Sequence, residues 1–99
     1  MNALKSRETE VLRHALGLKP GSKITYRNRF LAAPHDVANW RSLVERGYAK
    51  EGAPTNLGIW FWATRKGFDA VKRRGEKIGP DEEQEFKRME ADDAKERAA

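Results

Sequence analysis

Apolar positions recur along this chain in two different rhythms. Over residues 4–16, Leu4, Val11, Leu12, Ala15 and Leu16 return at helical spacing with Arg7, Glu8, Glu10 and Arg13 between them. That pattern predicts an amphipathic helix. Ser6 suits its N-cap, Glu8 and Glu10 lie where the helix dipole favours negative charge, and Gly17 and Pro20-Gly21 stop it and turn the chain. A second helix is expected over 35–46, started by Pro34 and closed by Gly47, with Val37, Trp40, Leu43 and Val44 as its buried stripe. The rhythm then shortens. Residues 48–51 and 59–63 read as the strands of a hairpin around the turn-rich stretch 52–58. Thr64 suits the cap of a third helix over 65–74, which buries Phe68 and Val71, with Ala70 beside them. Gly67 within its first turn costs up to about 1 kcal/mol relative to alanine. A second backbone is therefore expected to come close to it.

One stretch supports two readings. In residues 22–33, Ile24, Tyr26, Asn28 and Phe30 alternate with polar residues, which favours a half-buried strand. Capped instead at Thr25, the same stretch would place Tyr26, Arg29, Phe30 and Ala33 along one helical face. After Gly79-Pro80 the chain becomes highly charged, and Pro80 and Asp81 suit a helix start with Phe86 and Met89 as its bulky apolar residues. The expected class is α+β: amphipathic helices, a short antiparallel β-hairpin and a C-terminal acidic helix.

Composition narrows the partners. The chain has 99 residues, the size of one domain. With no cysteine, neither a disulfide framework nor a thiolate metal site is available. The longest apolar run, 59–63, falls far short of the roughly 20 residues of a membrane span, and the opening MNALKSRETE has no leader-like apolar region. A cytoplasmic protein without membrane contact is expected. The net charge of +5 is unevenly shared: residues 1–79 carry 16 Lys and Arg against 7 Asp and Glu, and residues 80–99 carry 4 against 8. A basic domain over 1–79 and an acidic helical tail over 80–99 follow, at +9 and −4. Excess positive charge favours a polyanion such as nucleic acid.

Two motifs carry a resemblance. Leu43-Val44-Glu45-Arg46-Gly47-Tyr48 resembles the end of a winged-helix recognition helix running into the first wing strand. The run from Phe61 to Val71, with its Thr-x-x-Gly element at Thr64 and Gly67, looks like the return strand and closing helix of that fold. Tyr26-Arg27-Asn28-Arg29-Phe30, taken with these, is similar to small uncharacterised proteins of bacteriophages and prophages. The resemblance implies a winged-helix-like regulatory protein whose second helix enters the major groove of duplex DNA. His35, Asn39, Ser42 and Arg46 lie along one stripe of that helix and would read base edges, and Arg27, Arg29, Arg41 and Lys50 would hold phosphates. Two features depart from the pattern. A helix-turn-helix needs a helix where 22–33 favours a strand, and the wing from Gly52 to Gly58 has no Lys or Arg.

A protein-interaction module is the alternative. Trp60 and Trp62 share one face of their strand and Phe61 and Ala63 the core-facing other, so the tryptophans are covered by Phe86 and Met89 of the tail or by helix 4–16, or they meet a partner protein or a second copy of the chain. A helix at 22–33 and a cluster of Arg27, Arg29, Arg41 and Arg46 on one side would favour DNA; a strand and scattered arginines would favour the module. The acidic tail reads as a solvated helix, a dimerisation helix, or a segment folded back on the basic body. Monomer and homodimer both remain open. No enzyme is expected: His14 and His35 lack carboxylates at ligand spacing, and no nucleophile elbow, phosphate loop or dinucleotide fingerprint occurs. No metal or cofactor is expected either.

Overall fold

The computed structural model describes residues 4–98; Met1–Ala3, part of the stretch read as lacking a leader, and Ala99 lie outside them. The described residues form an α+β structure with the order α1 (Ser6–Leu16), β1 (Phe30–Ala32), α2 (Pro34–Glu45), β2 (Ala49–Thr55), β3 (Gly58–Ala63), α3 (Arg65–Val71) and α4 (Pro80–Ala98). The three strands make one antiparallel sheet with β3 between β1 and β2. None of the helices among the described residues is long and apolar enough to cross a membrane.

Most elements stand close to their expected places, and the differences have local causes. The cap of α1 is Lys5 rather than Ser6, because the Lys5 backbone N–H donates to the Glu8 carboxylate at 2.8 Å. Strand β2 runs on to Thr55, with a register shift between Glu51 and Pro54 that absorbs the glycine and proline of the expected turn. Helix α3 stops at Val71, short of 74, where Lys72 turns extended.

Residues 22–33 are extended, not helical. Ile24 bridges Lys77, the backbone of Lys77 bonds on both sides to Lys23 and Thr25, and Phe30, Leu31 and Ala32 pair with Phe61, Trp60 and Ile59. Between these points Asn28 extends the sheet with its side chain: its amide donates to the Ala63 carbonyl and accepts from the Ala63 N–H, both at 2.8 Å. This pairing satisfies a buried peptide group that would otherwise cost about 1–3 kcal/mol for each lost partner.

The core lies between the inner sheet face and the helices. Trp40 of α2 stacks on Phe61 at 5.3 Å and tilts against Phe30, and Val11, Leu12, Ala15 and Leu16 of α1 close over the same cluster. Gly67 meets the expected close backbone: a Cβ there would stand 2.1 Å from the Tyr48 carbonyl oxygen. Helix α4 belongs to this core. Its Phe86 is 0% exposed, and Met89 packs beside it.

Candidate functional site

Helix α2, the expected base-reading element, spends its polar stripe on its neighbour α1. Arg46 folds back to the buried Glu8 carboxylate and to Ser42, while Asp36 takes a bidentate bond from Arg7 at 2.9 and 2.7 Å. The Arg7 bonds hold the Asp36 carboxyl below the usual carboxylate range. Burial pushes Glu8 upwards, and the bonds from Arg46 and the Lys5 N–H outweigh it and bring it below its ordinary value. These are charge-assisted contacts at a helix–helix seam, and they engage Arg46 and Ser42 while Asn39 stays half-exposed. The solvent face of α2 is instead His35, Ala38, Arg41 and Glu45. Its one arginine is paired with Glu51 at 3.2 Å, so the face has no cationic excess.

The other expected phosphate ligands divide. Lys50 is held by Asp93 of α4 at 2.7 Å. Arg65, which was not among them, is bound by both Glu83 and Glu90, at 2.6 and 2.7 Å, which lowers both carboxyls. The acidic helix thus pairs with Lys50 and Arg65. Arg27 and Arg29 form no ion pair among the described residues. Of the four arginines, Arg41 and Arg46 are ion-paired and Arg27 and Arg29 are not.

A different set does gather. Lys19, Lys23, Arg27, Arg29, Arg73, Arg74 and Lys77 are free of ion pairs among the described residues. They come from 19–29 and 73–77, two stretches tied side by side by the Lys23–Lys77 and Thr25–Lys77 backbone bonds. Of the acids beside them, Glu76 is consumed internally by Arg13 at 2.6 and 2.7 Å, which pulls its carboxyl down to about 2, Glu82 takes the Thr25 hydroxyl, and Glu85 faces Arg29. A groove of about 430 Å³ opens on this face, bordered by Lys19, Tyr26, Arg27 and Arg73, with Glu10 as its exposed acid. Tyr26 is 54% exposed, and Lys19 and Arg27 stand 5.7 and 5.2 Å from its ring centre. Arg27 is anchored by two bonds to the His14 carbonyl at 3.1 and 2.8 Å. Across Arg27 and His14 a second depression continues to Arg29, Phe30, Leu31 and Trp60.

The tryptophan face is divided between these regions. The Trp62 ring lies over Gly52, where a Cβ would stand 2.4 Å from it, and borders a cleft with Arg88 and Met89 of α4. Trp60 stays half-buried beside Leu31, outside the core. Phe86 has no surface left to offer a partner. Lys19, Lys23, Tyr26, Arg73, Arg74 and Lys77 were not among the expected site residues. Their signal was present as two cation-dense runs, 19–29 and 72–77, whose nearness depends on a pairing more than fifty residues apart in the chain. Among the described residues no cluster of three or more His, Asp or Glu side chains is placed to hold a metal. Comparison with protein families, characterised proteins and solved structures gives no match to this chain.

Proposed function

We propose that this chain is a winged-helix-like nucleic-acid-binding protein that uses the basic face of 19–29 and 73–77 rather than α2. The order helix, strand, helix, hairpin, helix is compatible with a winged-helix-like layout. The segment ahead of α2 is extended where a helix-turn-helix requires a helix, and the outer face of α2 carries no net positive charge. Major-groove reading by α2 therefore has little to stand on. The single observation that carries nucleic acid is the segregation of charge: the body's cations elsewhere are largely quenched by carboxylates, while those of this face are left unpaired around a groove. Unpaired Lys and Arg side chains release counterions from phosphates, which is the main source of sequence-independent affinity.

Fluorescence anisotropy with labelled oligonucleotides at about 50 and 200 mM salt tests this. With four to six phosphate contacts, affinity is expected to fall by roughly 10²-fold or more over that range. Replacing Arg27 or Arg73 by alanine reduces the salt slope by about one contact, and Arg41→Ala leaves it unchanged. An equal effect of all three variants would sink the assignment of this face.

One observation favours a second reading, a protein-interaction module: 22–33 is not helical and contributes the short edge strand Phe30–Ala32, and Leu31 and Trp60 lie half-buried outside the core. Absence of salt-dependent binding at 50 mM salt would transfer the assignment to that surface.

A further inference from the structure

We infer that the basic face takes nucleic acid as a single strand, with the Tyr26 ring as a platform for an unpaired base and Lys19, Arg27 and Arg73 on the adjoining phosphates. This rests on the nucleic-acid reading and narrows it to a substrate class.

Three features of the face point the same way. The first is the ring itself. Tyr26 is the one Phe, Tyr or Trp among the described residues that is mostly exposed, at 54%, and it sits on the body's most cationic surface. An exposed aromatic ring serves no core, and every base has a face that can stack on one.

The second is its mounting. Gly17, at φ +74°, ends α1 in the left-handed conformation, and a Cβ there would fall 2.3 Å from the Tyr26 ring. Glycine at this position both stops the helix and makes room for the ring to lie against the backbone. The Tyr26 N–H donates to the Leu16 carbonyl at 3.3 Å, and Arg27 is fixed by its two bonds to the next carbonyl but one, that of His14. Ring and guanidinium are therefore held before any ligand arrives, which lowers the ordering cost of binding.

The third is the path. The groove of about 430 Å³ is of small-ligand size, and it shares Arg27 and His14 in its wall with a neighbouring depression bordered by Arg29, Phe30 and Trp60. Aromatic and cationic groups thus alternate along a concave track. Such a track suits an unstacked strand, whose bases and phosphates are both accessible. A duplex hides its base faces and is read by a protruding helix or ribbon. The candidates for that role are the outer face of α2, which is charge-balanced, and the β2–β3 tip, which has no Lys or Arg between Gly52 and Gly58.

The test uses the full chain at about 50 mM salt with three probes: a fluorescein-labelled 12-mer of thymidylate, a mixed-sequence 12-base-pair duplex, and heparin as a polyanion without bases. The expected result is tighter binding of the thymidylate strand than of the duplex, by about 10-fold. Tyr26→Ala and Tyr26→Leu each weaken the strand by roughly 5- to 30-fold and leave heparin within about 2-fold, while Tyr26→Phe and Tyr26→Trp keep wild-type affinity. Circular dichroism melts of each variant confirm that the fold is intact. Equal affinity for strand and duplex overturns the single-strand assignment, as does a Tyr26→Leu effect of the same size on strand and heparin. Both of those results leave the nucleic-acid reading standing. Failure of all three probes to bind with salt dependence overturns that reading as well.

Discussion

Gly67 sets two physical effects of opposite sign against each other. An alanine there would gain up to about 1 kcal/mol of helix propensity. Its Cβ, however, would meet the Tyr48 carbonyl oxygen at 2.1 Å and the Ala63 side chain at 3.4 Å. That oxygen accepts the Thr64 N–H at 3.1 Å, so it cannot retreat without opening the junction between β3 and α3. Overpacking of this kind costs about 1–3 kcal/mol or more and outweighs the propensity gain. Gly67→Ala is therefore expected to lower the urea midpoint, and a raised midpoint would show that the junction is looser than the contact implies. The need for a close backbone at Gly67 was legible in the sequence, because a glycine in a helix's first turn requires a reason. Asn28 was not legible in the same way. It fits a strand alternation, but its two bonds to Ala63 depend on where β3 lies.

At the level of elements, the helices are joined by charge pairs as well as by apolar contact. Arg13 of α1 binds Glu76 after α3 and also donates to the Val71 carbonyl at 2.8 Å, with the Glu76 side chain only 4% exposed. This pairing holds the Glu76 carboxyl at about 2, from an ordinary 4.5. A depressed folded-state value stabilises the protein above the unfolded value, and the contribution disappears as pH falls through the folded one. On the order of 2–3 kcal/mol of stability is thus present above about pH 5 and lost progressively towards pH 2. Urea titrations at pH 6.5 and 3 should show a smaller pH dependence for Glu76→Gln than for the wild type; equal dependence would mean that the pair contributes nothing across this range. The α1–α2 seam follows the same logic. Asn39, Ser42 and Arg46 have the spacing of a solvent-facing stripe, but spacing does not distinguish water from the buried Glu8 and Asp36 of two packed helices.

For the whole molecule, the acidic C-terminal segment is part of the body. Phe86 is fully buried within the central cluster, Glu82 bonds to the buried Thr25 hydroxyl, and Asp93, Glu83 and Glu90 bind Lys50 and Arg65. Removing a core phenylalanine costs about 3–5 kcal/mol, a large share of a small domain's 5–15. Phe86→Ala is expected to lower the melting temperature of the entire chain in one transition, with far-ultraviolet circular dichroism and tryptophan fluorescence moving together. Separate transitions would mean that α4 folds independently. Its docking also divides the charges: carboxylates of α4 pair with Lys50 and Arg65, while the cations of 19–29 and 73–77 form no ion pair among the described residues, with Glu82 at Thr25 and Glu85 facing Arg29 as the α4 acids nearest them. The sequence by itself determined the helical and strand rhythms, most element boundaries, the burial of Trp40 and Phe61 and the excess of cations, because periodicity and composition act within a few residues along the chain. Only the tertiary structure decided which cations remain without an ion pair among the described residues and that Tyr26 stands among them, because ion pairing and exposure depend on neighbours brought together from distant parts of the sequence.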